Sequence, residues 1–534
     1  MKRLLLLLPF IFLISCGNEE NNTVFKSFET SNLSLSSKLE KACDTEYLNQ
    51  LGCSDDEANL VKSIYQKQKY TPFWINDSTI TTFGDSLKKL LSNPVNVCLP
   101  KGRILTLQSE NYIQDELVIT LASIRGASDF AHGFIDIDSN EWKKRQFLNI
   151  DSSLIVLNSI KRKDSIDIRK QFSVFAPNDS NYRRIYDGVL TFMDEHVYDT
   201  THFQVKSIKE DHEHAFVKAQ EALLQKGYIT EKGMNGIDSL FLDSIIKIYQ
   251  IDNGLKPDGV IGKYTAKSLN ESTEEKIHRG ILTLEKIRNH NKYPSKYILI
   301  NLPEYQLRFI ESDTLRSQHR IVIGKPENQT PELESKLSKI IVYPYWNVPY
   351  SISSKEILPV LKYNVGYLAK NNYKLYRNGE LVDPYTVNWK KISQNSFPYK
   401  VVQDPGPKNS LGIIKFDFSN SHSVYFHDTP SKSLFSTDVR AYSHGCMRTQ
   451  SPVELAKKIL EYDSIPRRRN DIIPDSLDSL LARGNNYEIR LLDRIPIYII
   501  YQTVTADENG MIIHPDVYDR DKKYLKTLLG NSQI

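Results

Sequence analysis

The residues best equipped for chemistry are His427 and, after fifteen intervening positions, the run Ser443-His444-Gly445-Cys446-Met447-Arg448. A thiol attacks only as its thiolate, so a reactive cysteine needs a base or a cation beside it, and histidine is the usual supplier. Gly445 lets the backbone turn tightly, which could aim amide N–H groups near Cys446 at a developing oxyanion. Downstream, Ser451-Pro452-Val453-Glu454 reads as a capping box opening a helix with proline at its first position. A helix N-terminus near the thiol would favour the anion. The competing reading of a lone cysteine is a small buried hydrophobe, and that of His427 is a structural histidine. His422 with His427 would make two metal ligands without a third, so neither metal nor cofactor is expected.

These residues must be positioned by β-structure. From 296 onward the period is strand-like and rich in β-branched residues: Lys296 to Leu302, Arg320 to Gly324, Lys339 to Tyr343, Ser423 to Phe426 and Ile497 to Thr503. A mixed, partly helical segment at 351–400 interrupts them, long for a loop and placed as lids over sites often are. Upstream the spacing is helical. Glu57 to Lys69 puts Leu60, Val61, Ile64 and Tyr65 on one helix face. Residues 211–271 look self-contained: an amphipathic segment from His214 to Gln225, another from Ser239 to Tyr249, and a third helix entered at Gly262 to Thr265. The expected class is α+β and multidomain. Residues 1–16 form a leader and 17–37 a linker. A mainly α scaffold occupies 38–210, a three-helix domain 211–271, a helical return to the scaffold 272–295, a β-rich domain 296–505, and a C-terminal tail 506–534.

The start of the chain sets the compartment. Met1-Lys2-Arg3 is positive, and Leu4 to Ile14 is apolar but too short to span a bilayer, as in a signal peptide. It ends in Leu13-Ile14-Ser15-Cys16, which resembles the bacterial lipobox, in which the cysteine is lipidated. The resemblance implies a lipoprotein of the cell envelope, anchored to the membrane at Cys16 and facing the periplasm. An envelope location permits disulfides; Cys43 and Cys53 could pair, and Cys98 is a further thiol. The 534 residues carry 69 Lys plus Arg against 65 Asp plus Glu, a net of +4. Spread over that length, the charge argues against a nucleic-acid partner.

His-x15-Ser-His-Gly-Cys matches the signature of L,D-transpeptidases with a YkuD-type catalytic domain. The neighbourhood resembles the YcbB-like branch: Tyr345-Trp346-Asn347-Val348-Pro349, Asp404-Pro405-Gly406-Pro407, Asn409-Ser410-Leu411-Gly412, Phe426-His427-Asp428-Thr429-Pro430-Ser431 and Asp516-Val517-Tyr518-Asp519-Arg520-Asp521. Asp258-Gly259-Val260-Ile261-Gly262-Lys263-Tyr264-Thr265 resembles the D-G-x-x-G-x-x-T turn of small peptidoglycan-binding domains. The resemblance implies that Cys446 attacks a stem-peptide carbonyl, His427 is general base and acid, and the Asp428 backbone carbonyl orients His427. His444 and Gly445 would shape the oxyanion turn, with a direct role for His444 left open. Arg448 would hold a substrate carboxylate or brace the site, and Tyr442 and Trp346 would line the groove or pack. Peptidoglycan is the implied partner and 3→3 crosslinking the implied reaction. Two other functions remain: a hydrolase with the same acyl-enzyme and water as acceptor, and a non-catalytic wall-binding lipoprotein.

Overall fold

The computed structural model describes residues 33–100, 103, 109–161, 168–230, 239–290, 292–463 and 474–529. Cys16, the leader and most of the linker lie outside them. None of the described helices is long and apolar enough to cross a membrane. The chain falls into two compact units, one ending at Asp179 and the other running from Ser180 to Thr527.

The first unit is mainly helical. Helix Asp55–Lys67 opens on a capping box between Ser54 and Glu57, and Val61, Ile64 and Tyr65 are buried as their spacing predicts. Helix Tyr112–His132 runs through the unit's interior, and its Glu116 is fully buried. A buried carboxylate survives only when its lone pairs are satisfied. Glu116 accepts from the Tyr65 hydroxyl at 2.7 Å and from the Phe73 and Trp74 amides at 2.6 and 2.7 Å. Both amides come from the aromatic run Tyr70-Thr71-Pro72-Phe73-Trp74. Cys43, Cys53 and Cys98 are buried and outside any disulfide, and burial pushes the first two up to about 12. No disulfide joins Cys43 to Cys53.

The scaffold boundary expected at 210 falls instead between 179 and 180. Helix Thr273–Arg288 does return onto helix Ser180–Glu195, but both belong to the second unit, because their inner faces pack on its C-terminal hairpin. A Cβ on Gly188 would lie 3.0 Å from the Met511 amide, and one on Gly280 2.5 Å from Val189. Arg279 and Lys286 reach across to Thr503 and Asp521. The described part of the expected tail, residues 506–529, is structured: Val504–Asp507 and Gly510–Ile513 pair as an antiparallel hairpin, followed by helix Lys522–Leu529.

Within the second unit, helices Ala215–Gln225, Ser239–Asp252 and Lys263–Asn270 form a small bundle around Leu223, Ile246, Tyr249, Ile261 and Leu269. The β-rich part is a nine-stranded sheet in the order Ala441–Ser443, Thr314–Gly324, Met447–Thr449, Phe426–His427, Ile414–Phe418, Leu333–Val342, Tyr487–Ile500, Lys296–Asn301 and Gln306–Glu311. The last strand also pairs with Thr314–Gly324, so the pairings close on themselves. Ile298, Ile300, Phe309, Ile340, Phe416, Phe426 and Met447 fill one side.

The interruption expected at 351–400 is wider. It is an inserted subdomain with its own four-stranded sheet, from Trp346–Asn347 to Lys400–Gln403, and its own core of Leu358, Leu361, Leu368, Leu375 and Val401. Its two ends meet on buried Asn409, whose amide donates to the carbonyls of Pro344 and Asp404 at 3.0 Å each.

Candidate active site

Two short parallel strands hold the site. Phe426–His427 and Met447–Thr449 pair with Phe426 opposite Met447 and His427 opposite Arg448. Successive side chains on a strand point to opposite faces. Phe426 and Met447 therefore enter the core, and His427 and Arg448 share the other face. Lys415 joins them from the next strand, directly opposite His427, as does Tyr425, two residues before His427. Cys446 stands at the start of its strand, where its sulfur meets the hydroxyl and amide of Tyr425.

His427 is buried. Its Nδ1 donates to the Asp428 backbone carbonyl; the acceptor has no proton, so the neutral ring carries its hydrogen on Nδ1 and its lone pair on Nε2. Burial, with help from Arg448 and Lys415, drives the imidazole down to about 3, against the pull of the Asp428 and Leu411 carbonyls. The Asp428 carboxylate serves a separate purpose: it accepts from the Ile413 amide at 3.0 Å and pairs with Lys432. It packs so closely on Gly412 (φ +61°) that a Cβ there would sit 2.2 Å from its oxygen.

Burial also pushes the Cys446 thiol above its ordinary value, with Tyr425 and Lys415 opposing. The thiol lies 4.0 Å from the Ser423 carbonyl. By these shifts both the thiol and the imidazole are neutral at rest. The helix expected to favour the thiolate begins at Pro452, as the proline predicts, with strand Met447–Thr449 between it and Cys446.

The turn before the nucleophile is tied internally. Gly445 has φ +117°, which few side-chain-bearing residues adopt. Its amide donates to the Ser443 hydroxyl at 3.1 Å, and that hydroxyl donates to the Cys446 carbonyl. The Gly445 N–H expected to face an oxyanion is therefore engaged in this state. His444 turns its Nε2 to Glu356 of the inserted subdomain at 2.6 Å. Arg448 is half-buried, desolvation lowers its pKa, and among the described residues no carboxylate pairs with it.

Trp346 reaches the site through Tyr425: its indole N–H and the Cys446 sulfur both face the Tyr425 hydroxyl. Tyr442 is 48% exposed and lies near Tyr264 of the helical bundle. Sequence reasoning missed Tyr425, Lys415 and Glu356. Lys415 lies 4.1 Å from the Tyr425 ring centre and holds Asp417 at 2.8 Å. Among the described residues no cluster of three metal-ligating side chains occurs, and His422 does not join His427 in one.

Residues 295–467 match the family model of the YkuD L,D-transpeptidase catalytic domain. A Haemophilus influenzae protein provisionally named an L,D-transpeptidase is 31% identical over 229 residues, covering 42% of this chain and 45% of that protein. The chain thus spans under half the length of this curated relative. Among solved structures, a cysteine-to-serine variant of the Enterococcus faecium L,D-transpeptidase matches at 10% identity and a TM-score of 0.16, over 43% of this chain and 64% of its own. The Ldtfm–avibactam carbamoyl enzyme matches at 10% identity and 0.17, over 51% and 84%. Those scores are too low to support a common superposition. By the family match and the Haemophilus relative, the segment that carries Cys446 and His427 is similar to YkuD-type L,D-transpeptidase catalytic domains.

Proposed function

We propose that the protein crosslinks peptidoglycan as an L,D-transpeptidase, with Cys446 as nucleophile and His427 as base. What supports this reading is that the matched domain carries both residues, His427 on strand Phe426–His427 and Cys446 next to the strand paired with it. The stem tetrapeptide binds with the carbonyl of its third residue, a diamino acid, at the sulfur. Nε2 of His427 takes the thiol proton as sulfur attacks. The C–N bond to the terminal D-Ala breaks, the proton passes to the departing amine, and a thioester remains on Cys446. The side-chain amine of a second stem then attacks the thioester carbonyl. His427 removes its proton, the C–S bond breaks, and the thiol is restored with a 3→3 crosslink.

The lone pair on Nε2 of the neutral imidazole is available to accept a proton. Arg448, desolvated and without a carboxylate partner, suits recognition of a stem carboxylate. Tyr425 is placed to donate to the sulfur as it becomes negative, and Trp346 holds the Tyr425 hydroxyl. The inserted subdomain would act as a lid, the bundle at 215–270 would hold the glycan, and Cys16 would carry the lipid that anchors the protein to the envelope membrane facing the periplasm.

The test is the intact mass of a protein truncated after Cys16, incubated with a disaccharide-tetrapeptide beside a Cys446→Ala variant. A gain of one stem less D-Ala, or dimer products in the same tube, both absent from the variant, is expected. No adduct, no product and no labelling by a carbapenem in a folded protein would overturn the reading.

A further inference from the structure

We propose that Glu356 is a positioning residue for the catalytic turn, acting through His444. The inference rests on the reading of Cys446 as the nucleophile. It starts from an irregularity in the inserted subdomain. The helix that follows Pro349 widens into a π-helical turn over Ser353–Ile357, where the Leu358 amide donates five residues back to the Ser353 carbonyl. Such turns are rare and recur at functional positions. Here the turn buries Ser353, Ser354 and Ile357 in the subdomain while Lys355 and Glu356 stay outside. The Glu356 carboxylate then lies 2.6 Å from Nε2 of His444.

That contact fixes the state of the ring. A carboxylate oxygen accepts from a ring N–H, so the hydrogen between the two groups sits on Nε2. His444 is two residues from Cys446, on a turn tied by the Ser443 hydroxyl to both the Gly445 amide and the Cys446 carbonyl. Orienting the ring therefore orients a polar group rigidly attached to the nucleophile. Because Glu356 belongs to the insertion, His444 acquires this orientation only while the insertion is seated. The pair is partly exposed, with 38% and 51% of the two side chains accessible, so it adds little to folding. Positioning is what is left for it to do.

The experiment compares the full-length chain in detergent with Glu356→Ala and Glu356→Gln. The His444 tautomer is read by nitrogen-15 NMR, and kcat and KM for stem crosslinking are measured separately. The wild-type ring should carry its hydrogen on Nε2. Glu356→Ala should lose that bias and drop kcat about 10-fold, with KM and the melting temperature little changed. Glu356→Gln, whose amide oxygen still accepts from Nε2, should recover most of kcat. An unchanged tautomer or unchanged kcat in Glu356→Ala would overturn the proposal, as would a Glu356→Gln variant as impaired as alanine. If wild-type protein forms no acyl-enzyme at Cys446, the transpeptidase reading fails, while the tautomer comparison still decides whether Glu356 orients His444.

Discussion

His427 and Arg448 stand directly opposite each other on neighbouring parallel strands, so the imidazole proposed as the base lies beside a guanidinium. The guanidinium is one reason the ring stays neutral, second only to burial. Arg448→Met should therefore raise the His427 pKa, followed by NMR titration. If the guanidinium also reads a stem carboxylate, kcat/KM should fall about 10- to 100-fold, the worth of one charge-assisted hydrogen bond. A variant whose titration and kinetics both match wild type would remove Arg448 from the site.

The neutral resting pair predicts the reactivity of Cys446. A thiolate–imidazolium pair alkylates at a rate nearly independent of pH through neutrality, whereas a thiol held above its ordinary value does not. Iodoacetamide labelling of Cys446, followed by peptide mass, should be slow at pH 7. It should rise about tenfold per pH unit into the alkaline range, with no acidic plateau.

Burial of neutral His427 ties stability to pH. Its folded pKa of about 3 lies below the ordinary 6.5, so between those values the unfolded chain binds more protons. Stability from this residue is complete above pH 6.5 and declines as pH falls towards 3, at up to about 1.4 kcal/mol per pH unit. Urea midpoints between pH 7 and 4.5 should fall more steeply for wild type than for His427→Gln. Parallel slopes would show that the ring is protonated in the native state.

Gly412 tests the loop under the histidine. An alanine there needs a left-handed φ and places its Cβ against the Asp428 carboxylate. We expect Gly412→Ala to cost about 2–3 kcal/mol, seen as a lower melting temperature, and to reduce Cys446 acylation because the Leu411 carbonyl beside His427 shifts with it.

What the sequence discloses about this site follows from how local each relationship is. Cys446, Gly445 and His427 announce themselves by type and spacing, and helix Pro452–Asp463 by its proline. Tyr425 was readable by the two-residue strand period from His427, but an aromatic in a strand looks like packing. Lys415 reaches His427 through sheet register and Glu356 reaches His444 across a domain insertion; neither leaves a mark in local sequence. The C-terminal residues looked like a tail because Asp507-Glu508-Asn509-Gly510 is polar. Those residues are a hairpin turn, and the apolar positions beside them, Val504, Met511 and Ile513, are buried.

The two ends of the inserted subdomain leave the catalytic sheet within reach of a single Asn409 amide. To the sheet, the whole excursion between them has almost no span. Its length is thus free to vary without moving the strands around Cys446 and His427, so long as Trp346 and Glu356 keep their contacts. The subdomain is a cassette: a replacement of another size would fit the same asparagine, provided it returned an indole to Tyr425 and a carboxylate to His444.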